Sequence, residues 1–291
     1  MSQRFAPSTR AAFWMSGALV SFMAMAIAGR QLSTELTTFQ VLFFRSLVGL
    51  AVVIALLQRA GWAHVKTHVI GTHLLRNIAH FGGQYGWFYG IALIPLTEVF
   101  AIEFTVPIWT ALMATFLLRE RMTGARASAV ALGFAGVLVI LRPGVTAISP
   151  PALAVLGSAF CYAISHVFTK RLSSTQTPLT ILFYMTVIQL PLGLLPALTR
   201  WVWPSAASWP WIFVVATTAL SAHYCLTRAF QLADASVVIP LDFLRLPLIA
   251  VVGFFAYGEP LNIWVLVGAL IVCAGTLLNL KSASRPPAGP K

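Results

Sequence analysis

Long apolar runs, separated by short polar or Pro/Gly breaks, recur along the whole chain, near residues 11–29, 36–57, 70–93, 97–118, 126–141, 151–169, 178–199, 209–230, 235–257 and 261–280. Each run is close to the roughly 20 residues that span the hydrocarbon of a bilayer as a helix. The pattern therefore predicts an all-α, polytopic membrane protein with ten transmembrane helices. The first run, preceded by Arg4 and Arg10 and ending at Ala26, Ile27 and Ala28, also has the outline of a signal peptide. It has a counterpart deeper in the chain, however, so its removal would delete one half of a pair.

That pairing is the most informative feature of the sequence. Residues 85–141 align without a gap onto 224–280 at an offset of 139, placing Tyr85 on Tyr224, Glu103 on Asp242, Phe104 on Phe243, Glu120 on Glu259 and Gly136 on Gly275. Residues 15–50 align onto 155–190 at an offset of 140, matching Gly17 with Gly157, Arg30 with Lys170, Thr37 with Thr177 and Leu42-Phe43 with Leu182-Phe183. Paired acids and turn residues at a nearly constant offset indicate an internal duplication. Each copy holds five crossings, and an odd number makes the second copy enter the membrane from the opposite side. Two inverted five-helix repeats are expected, 1–145 and 146–291, forming one transport domain.

Charge then sets orientation. Only 9% of the residues are charged and 59% are hydrophobic, against roughly 25% charged in a soluble domain. The net charge of +12 could suggest a nucleic-acid binder, but the charges avoid the apolar runs and collect at their ends. Thirteen of the nineteen Lys and Arg residues fall on the N-terminal side (Arg4, Arg10, Arg59, Lys66, Arg119, Arg121, Arg126, Lys170, Arg171, Arg228, Lys281, Arg285, Lys291), and only Arg30, Arg142 and Arg200 on the other. By the positive-inside rule both termini are expected in the cytoplasm. Cys161, Cys225 and Cys273 each lie inside a crossing and read as small buried apolar residues, with no disulfide framework.

Inverted repeats place a pseudo-two-fold axis in the membrane plane, about which two halves can rock around a midplane site. Secondary transport is the expected activity. The residues Leu42-Phe-Phe-Arg45, Ala92-Leu-Ile-Pro95, Pro107-Ile-Trp-Thr-Ala111 and Leu117-Leu-Arg-Glu120, repeated as Tyr257-Gly-Glu-Pro260 with Gly268 and Gly275, give the chain a resemblance to the drug/metabolite transporter superfamily, in its EamA-type branch. The stretch Leu74-Leu-Arg-Asn-Ile-Ala-His-Phe-Gly-Gly-Gln-Tyr-Gly-Trp-Phe-Tyr89 is most similar to the YddG-type exporters of amino acids. The resemblance implies export of aromatic and other neutral amino acids, such as threonine and methionine, across a bacterial inner membrane. It also implies a central cavity surrounded by crossings 1, 3, 4, 6, 8 and 9, with 5 and 10 supporting it from outside. Residues 11–29 lack the first-crossing glutamate of the four-span multidrug exporters of that superfamily, which disfavours cation exchange through such a residue.

Polar groups inside a bilayer are expensive and mark candidate binding positions. In crossing 3, Asn77, His80, Gln84 and Phe88 share one helical face, with Gly82, Gly86 and Gly90 roughly opposite, where small residues let another helix approach. His80 and Gln84 are expected to face a cavity, although an interhelical hydrogen bond would equally satisfy His80, and Asn77 can sit at the cytoplasmic mouth. Glu103 shares a face with Pro107 and Thr110, and Asp242 with Arg245. The Asp242–Arg245 pair has two readings, a structural neutraliser or a dipole that recognises a zwitterion, and Glu103 has the further possibility of carrying a coupling proton. Pro107, Pro240 and Pro247 interrupt crossings 4 and 9 and are candidate gating bends or static kinks. Tyr162 with His166, and Tyr224 with Arg228, are weaker i,i+4 candidates, since Tyr and Arg near a crossing's end also serve as interfacial anchors. Arg45 reads as structural. Trp201, Trp203, Trp209 and Trp211 read as an interfacial belt.

The sequence contains no phosphate-binding G-x-x-x-x-G-K-[ST] loop and no H-E-x-x-H motif. No cofactor, resident metal, nucleic acid or ATPase subunit is therefore expected. The expected partners are a small-molecule substrate, amino acids by resemblance, and the lipid bilayer. Two alternatives compete with amino-acid export: export of another small metabolite or drug, with Arg76 or Arg245 attracting an anion, and, more distantly, an intramembrane enzyme using Asp242 or Glu103 with His80 or His166.

Overall fold

The computed structural model describes residues 7–117, 124–143, 149–173, 175–232, 242 and 244–283. The helices are α1 (Pro7–Leu32), α2 (Thr38–Ala60), α3 (Ile70–Leu93), α4 (Leu96–Glu103), α5 (Val106–Leu117), α6 (Gly124–Leu141), α7 (Pro150–Ser173), α8 (Pro178–Ala197), α9 (Trp209–Leu232), α10 (Arg245–Tyr257) and α11 (Ile263–Ala283). No strand occurs among the described residues. Segments within α1, α2, α7 and α8 are long and apolar enough to cross a membrane. Large apolar side chains such as Val20, Leu138, Leu195, Phe255 and Leu270 are exposed, as lipid-facing surface requires.

The two copies repeat one another down to their helix caps. Thr37 accepts a bond from the Gln40 amide at the start of α2, and its repeat mate Thr177 accepts one from the Thr180 amide at the start of α8. These caps satisfy amides that have no intrahelical partner. Pairwise packing follows the same symmetry. Helix α1 lies along α9 and α3 along α7, two pairs that exchange when the copies are swapped, while α2 packs on α8 and α6 on α11, each helix against its own mate.

The α6–α11 seam shows the dyad residue by residue. A Cβ on Gly136 would meet the Gly268 carbonyl at 2.7 Å and Val272, and one on Gly275 would meet the Ala129 carbonyl at 2.9 Å and Gly133. Residues 268 and 272 map onto 129 and 133, so the two contacts are reciprocal. Along α3, Gly83, Gly86 and Gly90 form a second close seam against Tyr162, Ala154 and Val155 of α7, with the Ser158 hydroxyl donating to the Gly83 carbonyl at 2.5 Å. Gly82, expected in that seam, is at ordinary contact distance from Cys161 instead.

The structure corrects crossing 4. It is two half-helices, α4 and α5, joined through Phe104 and Thr105. Pro107, the second residue of α5, cannot donate to the Glu103 carbonyl, so the chain breaks between them and the Ile108 and Trp109 amides turn to the Thr105 carbonyl. Pro247 is the third residue of α10, in a first turn where a missing amide is tolerated, and the helix begins just after the turn at Leu244. Pro240 lies outside the described residues, as do Glu120 and the start of crossing 9.

Candidate functional site

Two polar groups occupy the interior of this apolar bundle. The first joins α3, α7 and α8. Gln189, midway along α8, donates to the Asn77 side-chain oxygen at 3.2 Å and contacts Nδ1 of His80 at 2.9 Å. Arg76 donates to the same Asn77 oxygen at 2.7 Å and to the Thr169 hydroxyl at 3.1 Å, and Asn77 returns a bond to the His73 carbonyl. His80 packs edge-on to Tyr162, 5.6 Å between ring centroids, and tilts against His223 at 5.9 Å. His166 lies parallel to Tyr162. It is solvent-accessible and lies within electrostatic reach of Arg76 and His223.

The second group centres on Arg245. Its guanidinium binds Asp242 at 2.6 Å and Glu103 at 3.4 Å, and lies over the rings of Phe22, Phe100 and Phe104 at 4.7, 5.5 and 5.5 Å. Glu103 also accepts from the indole N–H of Trp87 at 2.8 Å. The duplicated acids thus meet on a single cation. Two carboxylates on one guanidinium leave the group one negative charge in excess when both are ionised. Tyr162 is within electrostatic reach of Glu103, Arg245 and Arg45, and so connects the two groups.

A third arrangement seals the face opposite the N-terminal end of α1. Helix α10 ends at Gly258, whose φ of 63° is the left-handed conformation that glycine adopts without strain. The Glu259 amide then returns to the Gly253 carbonyl, and its carboxylate is aimed at the start of α4, where it accepts from the Leu96 amide at 2.8 Å. Arg30, at the end of α1, pairs with Glu259 at 3.1 Å and donates to the Ile94 carbonyl. The Tyr-Gly-Glu-Pro motif therefore builds a latch between the copies. On the same face the Glu35 carboxylate accepts from the Ser205 amide and from the hydroxyls of Ser205 and Ser208. These bonds favour its charged form and hold its pKa below the usual carboxylate range.

Of the residues expected from sequence, Asn77, His80, Tyr162 and His166 come together in the first group, and Glu103, Asp242 and Arg245 in the second. Gln84 is buried beside them on α3, its Oε1 without a partner. Tyr224 is the exception: it is 56% exposed and packs edge-on to Trp14, outside both groups. Its neighbour His223, one residue and about 100° away on α9, takes the interior position. Sequence reasoning passed over Gln189, gave Arg45 a structural role and offered Trp87 only as a stacking partner. An amide inside the apolar run of crossing 7 was the signal for Gln189. Crossings 2 and 7, which the resemblance does not assign to the cavity, carry Gln189 into the first group and Arg45 within electrostatic reach of it.

A duplicated, all-helical bundle with lipid-facing surface, broken helices and buried polar groups at mid-depth defines the class of polytopic membrane transport proteins. The model of the EamA-like transporter family matches residues 9–142 and again 149–281, and the chain belongs to that family. Among its relatives, the "S-adenosylmethionine uptake transporter" of Rickettsia prowazekii is 26% identical over 272 residues, covering 94% of this chain and 92% of that one. The "Riboflavin transporter" of Rhizobium johnstonii is 29% identical, with 94% and 92% covered, and a "Pseudopaline exporter" of Pseudomonas aeruginosa is 26% identical, with 89% and 92% covered. A solved crystal structure at 17% identity superposes with a TM-score of 0.65 over 95% of this chain and 99% of its own. That last likeness bears on the fold alone.

Proposed function

We propose that the protein is a secondary carrier that moves a small polar metabolite across a bacterial inner membrane by alternating access. The observation that carries this reading is the pair of polar groups at mid-bundle, connected through Tyr162, in helices whose remaining surfaces are apolar. Such groups are retained inside a bilayer where a polar solute must pass. His80, Asn77, Gln84, Tyr162 and His166 would meet the solute from one side, and Glu103, Asp242 and Arg245 from the other. The Arg30–Glu259 latch would hold the far face shut in this state. Residues 1–145 and 146–291 would be the units that rock, the half-helix junction before Pro107 would act as a gate, and both termini would lie in the cytoplasm, as the excess of Lys and Arg on their side favours.

Amino-acid export, the narrower expectation, gains no support from the relatives, whose names concern S-adenosylmethionine, riboflavin and pseudopaline. A metabolite of that size class is the better reading. Those names include both uptake and export, and the chain's own direction is left to experiment.

Purified protein in liposomes, given labelled S-adenosylmethionine, riboflavin, phenylalanine, threonine or methionine, tests the proposal. Saturable flux above empty liposomes for at least one compound supports a carrier, and its absence for all of them overturns it. Flux of the amino acids alone would restore the narrower reading. Repeating the assay with an imposed pH gradient separates facilitated diffusion from proton exchange.

A further inference from the structure

We propose that Arg45 is the docking point for a carboxylate of the transported molecule, and that the substrate is a zwitterion whose cationic centre faces Asp242 and Glu103. The inference rests on the carrier reading above and narrows its substrate class.

A guanidinium inside a membrane bundle needs an anion or a full set of acceptors. Three interior or latch arginines have them. Arg245 has Glu103 and Asp242, Arg30 has Glu259, and Arg76 has Asn77 and Thr169. Arg45 differs. It is 5% exposed and no carboxylate among the described residues pairs with it, while its Nε, like those of Arg30 and Arg245, is buried without a hydrogen-bond partner. It lies within electrostatic reach of Tyr162, His80, His223 and Arg76, in the neighbourhood of the first polar group. The fold does not require a charge there, because the duplication puts Met185 at the matching position of the second copy.

The opposite pole has the complementary vacancy in hydrogen bonding. Asp242 Oδ1 is buried without a partner, and the Glu103–Asp242–Arg245 set carries one excess negative charge when both acids are ionised. The side-chain oxygens of Gln84 and Gln189 are also buried acceptors without donors. A ligand with one anionic end and one cationic, N–H-bearing end neutralises both poles at once. A carboxylate fits better than a phosphate: the two Arg76 nitrogens that donate are already engaged, so Arg45 offers one free forked cation, and a dianion would leave charge uncompensated near two acids.

The test uses pairs of labelled compounds that differ only in the carboxylate, S-adenosylmethionine with its decarboxylated form and phenylalanine with phenethylamine, with riboflavin as a carboxylate-free reference. Wild-type protein in liposomes should favour the carboxylate-bearing member of at least one pair by about thirty-fold or more, as expected when a buried charge pair is completed. Arg45→Gln and Arg45→Met should erase that preference, while Arg45→Lys retains part of it. Size-exclusion profiles confirm that each variant is folded, and Arg45→Met introduces only what the second copy already carries. Wild-type flux without a carboxylate preference, or a preference that survives in Arg45→Gln or Arg45→Met, overturns the assignment and leaves the carrier intact. No flux of any compound removes the carrier reading itself.

Discussion

The two copies of the repeat agree in packing and disagree in chemistry. Thr37 and Thr177 cap equivalent helices, Gly136 and Gly275 make reciprocal contacts, and Glu103 and Asp242 converge on one arginine. Yet Arg45 stands opposite Met185, Gln189 opposite Gly49, Tyr162 opposite Phe22, His166 opposite Ala26 and Arg245 opposite Val106. Positions that hold helices together tolerate little change, because a close backbone approach or an uncapped amide has few solutions. Positions around the interior space are free to diverge once one copy supplies each polar group. An interior that is electrically lopsided suits a lopsided solute better than a symmetric one.

The largest test of this contrast is Arg245→Met. It strands Glu103 and Asp242 beside three phenyl rings, and should lower stability by about 3–5 kcal/mol, read as a drop in the thermal unfolding midpoint in detergent. Adding Glu103→Gln and Asp242→Asn should recover much of that loss. If Arg245→Met were harmless, the acids would not depend on it. Next come Gly136→Val and Gly275→Val, where added methyls meet backbone: each should cost about 1–3 kcal/mol, and the two losses should be similar. Strongly unequal losses would break the symmetry argument.

Smaller again is the latch. Arg30→Gln or Glu259→Gln should cost about 1 kcal/mol in stability, since Arg30 keeps contact with solvent, but should raise thiol labelling of a cysteine placed at Ile27 or Leu96 as the far face opens. The smallest effect concerns Glu35. Its lowered pKa means that the charged carboxylate stabilises the loop contact near neutral pH, and that this support is lost as pH falls through the folded-state value. The Ser205 amide should therefore lose hydrogen-exchange protection in acid, judged against the intrinsic exchange rate at each pH, and Glu35→Gln should be poorly protected already at neutral pH with little further acid response.

The crossings and their duplication were legible because hydrophobic runs, caps and glycines are local and periodic. The faces bearing Asn77, His80 and Gln84, and the duplicated acids, followed from helical spacing for the same reason. Spacing alone does not give the phase of a helix against its neighbours, which is why Tyr224 was chosen and His223 was not. Nor does it say which helix a side chain reaches: Arg45 reads as structural on α2 alone, and only the packing of α2 on α3 and α8 brings it within electrostatic reach of Tyr162. The break in crossing 4 was visible as Pro107, but its location before the proline depends on which carbonyl loses its donor.

The glycine seam between α6 and α11 sits on the dyad itself, so a motion that exchanges the roles of the two halves leaves it nearly in place. It is an axle. Staples across Gly136 and Gly268 should be harmless to turnover, whereas staples at the periphery should arrest it, and the two halves, expressed as separate polypeptides, should find each other along this line.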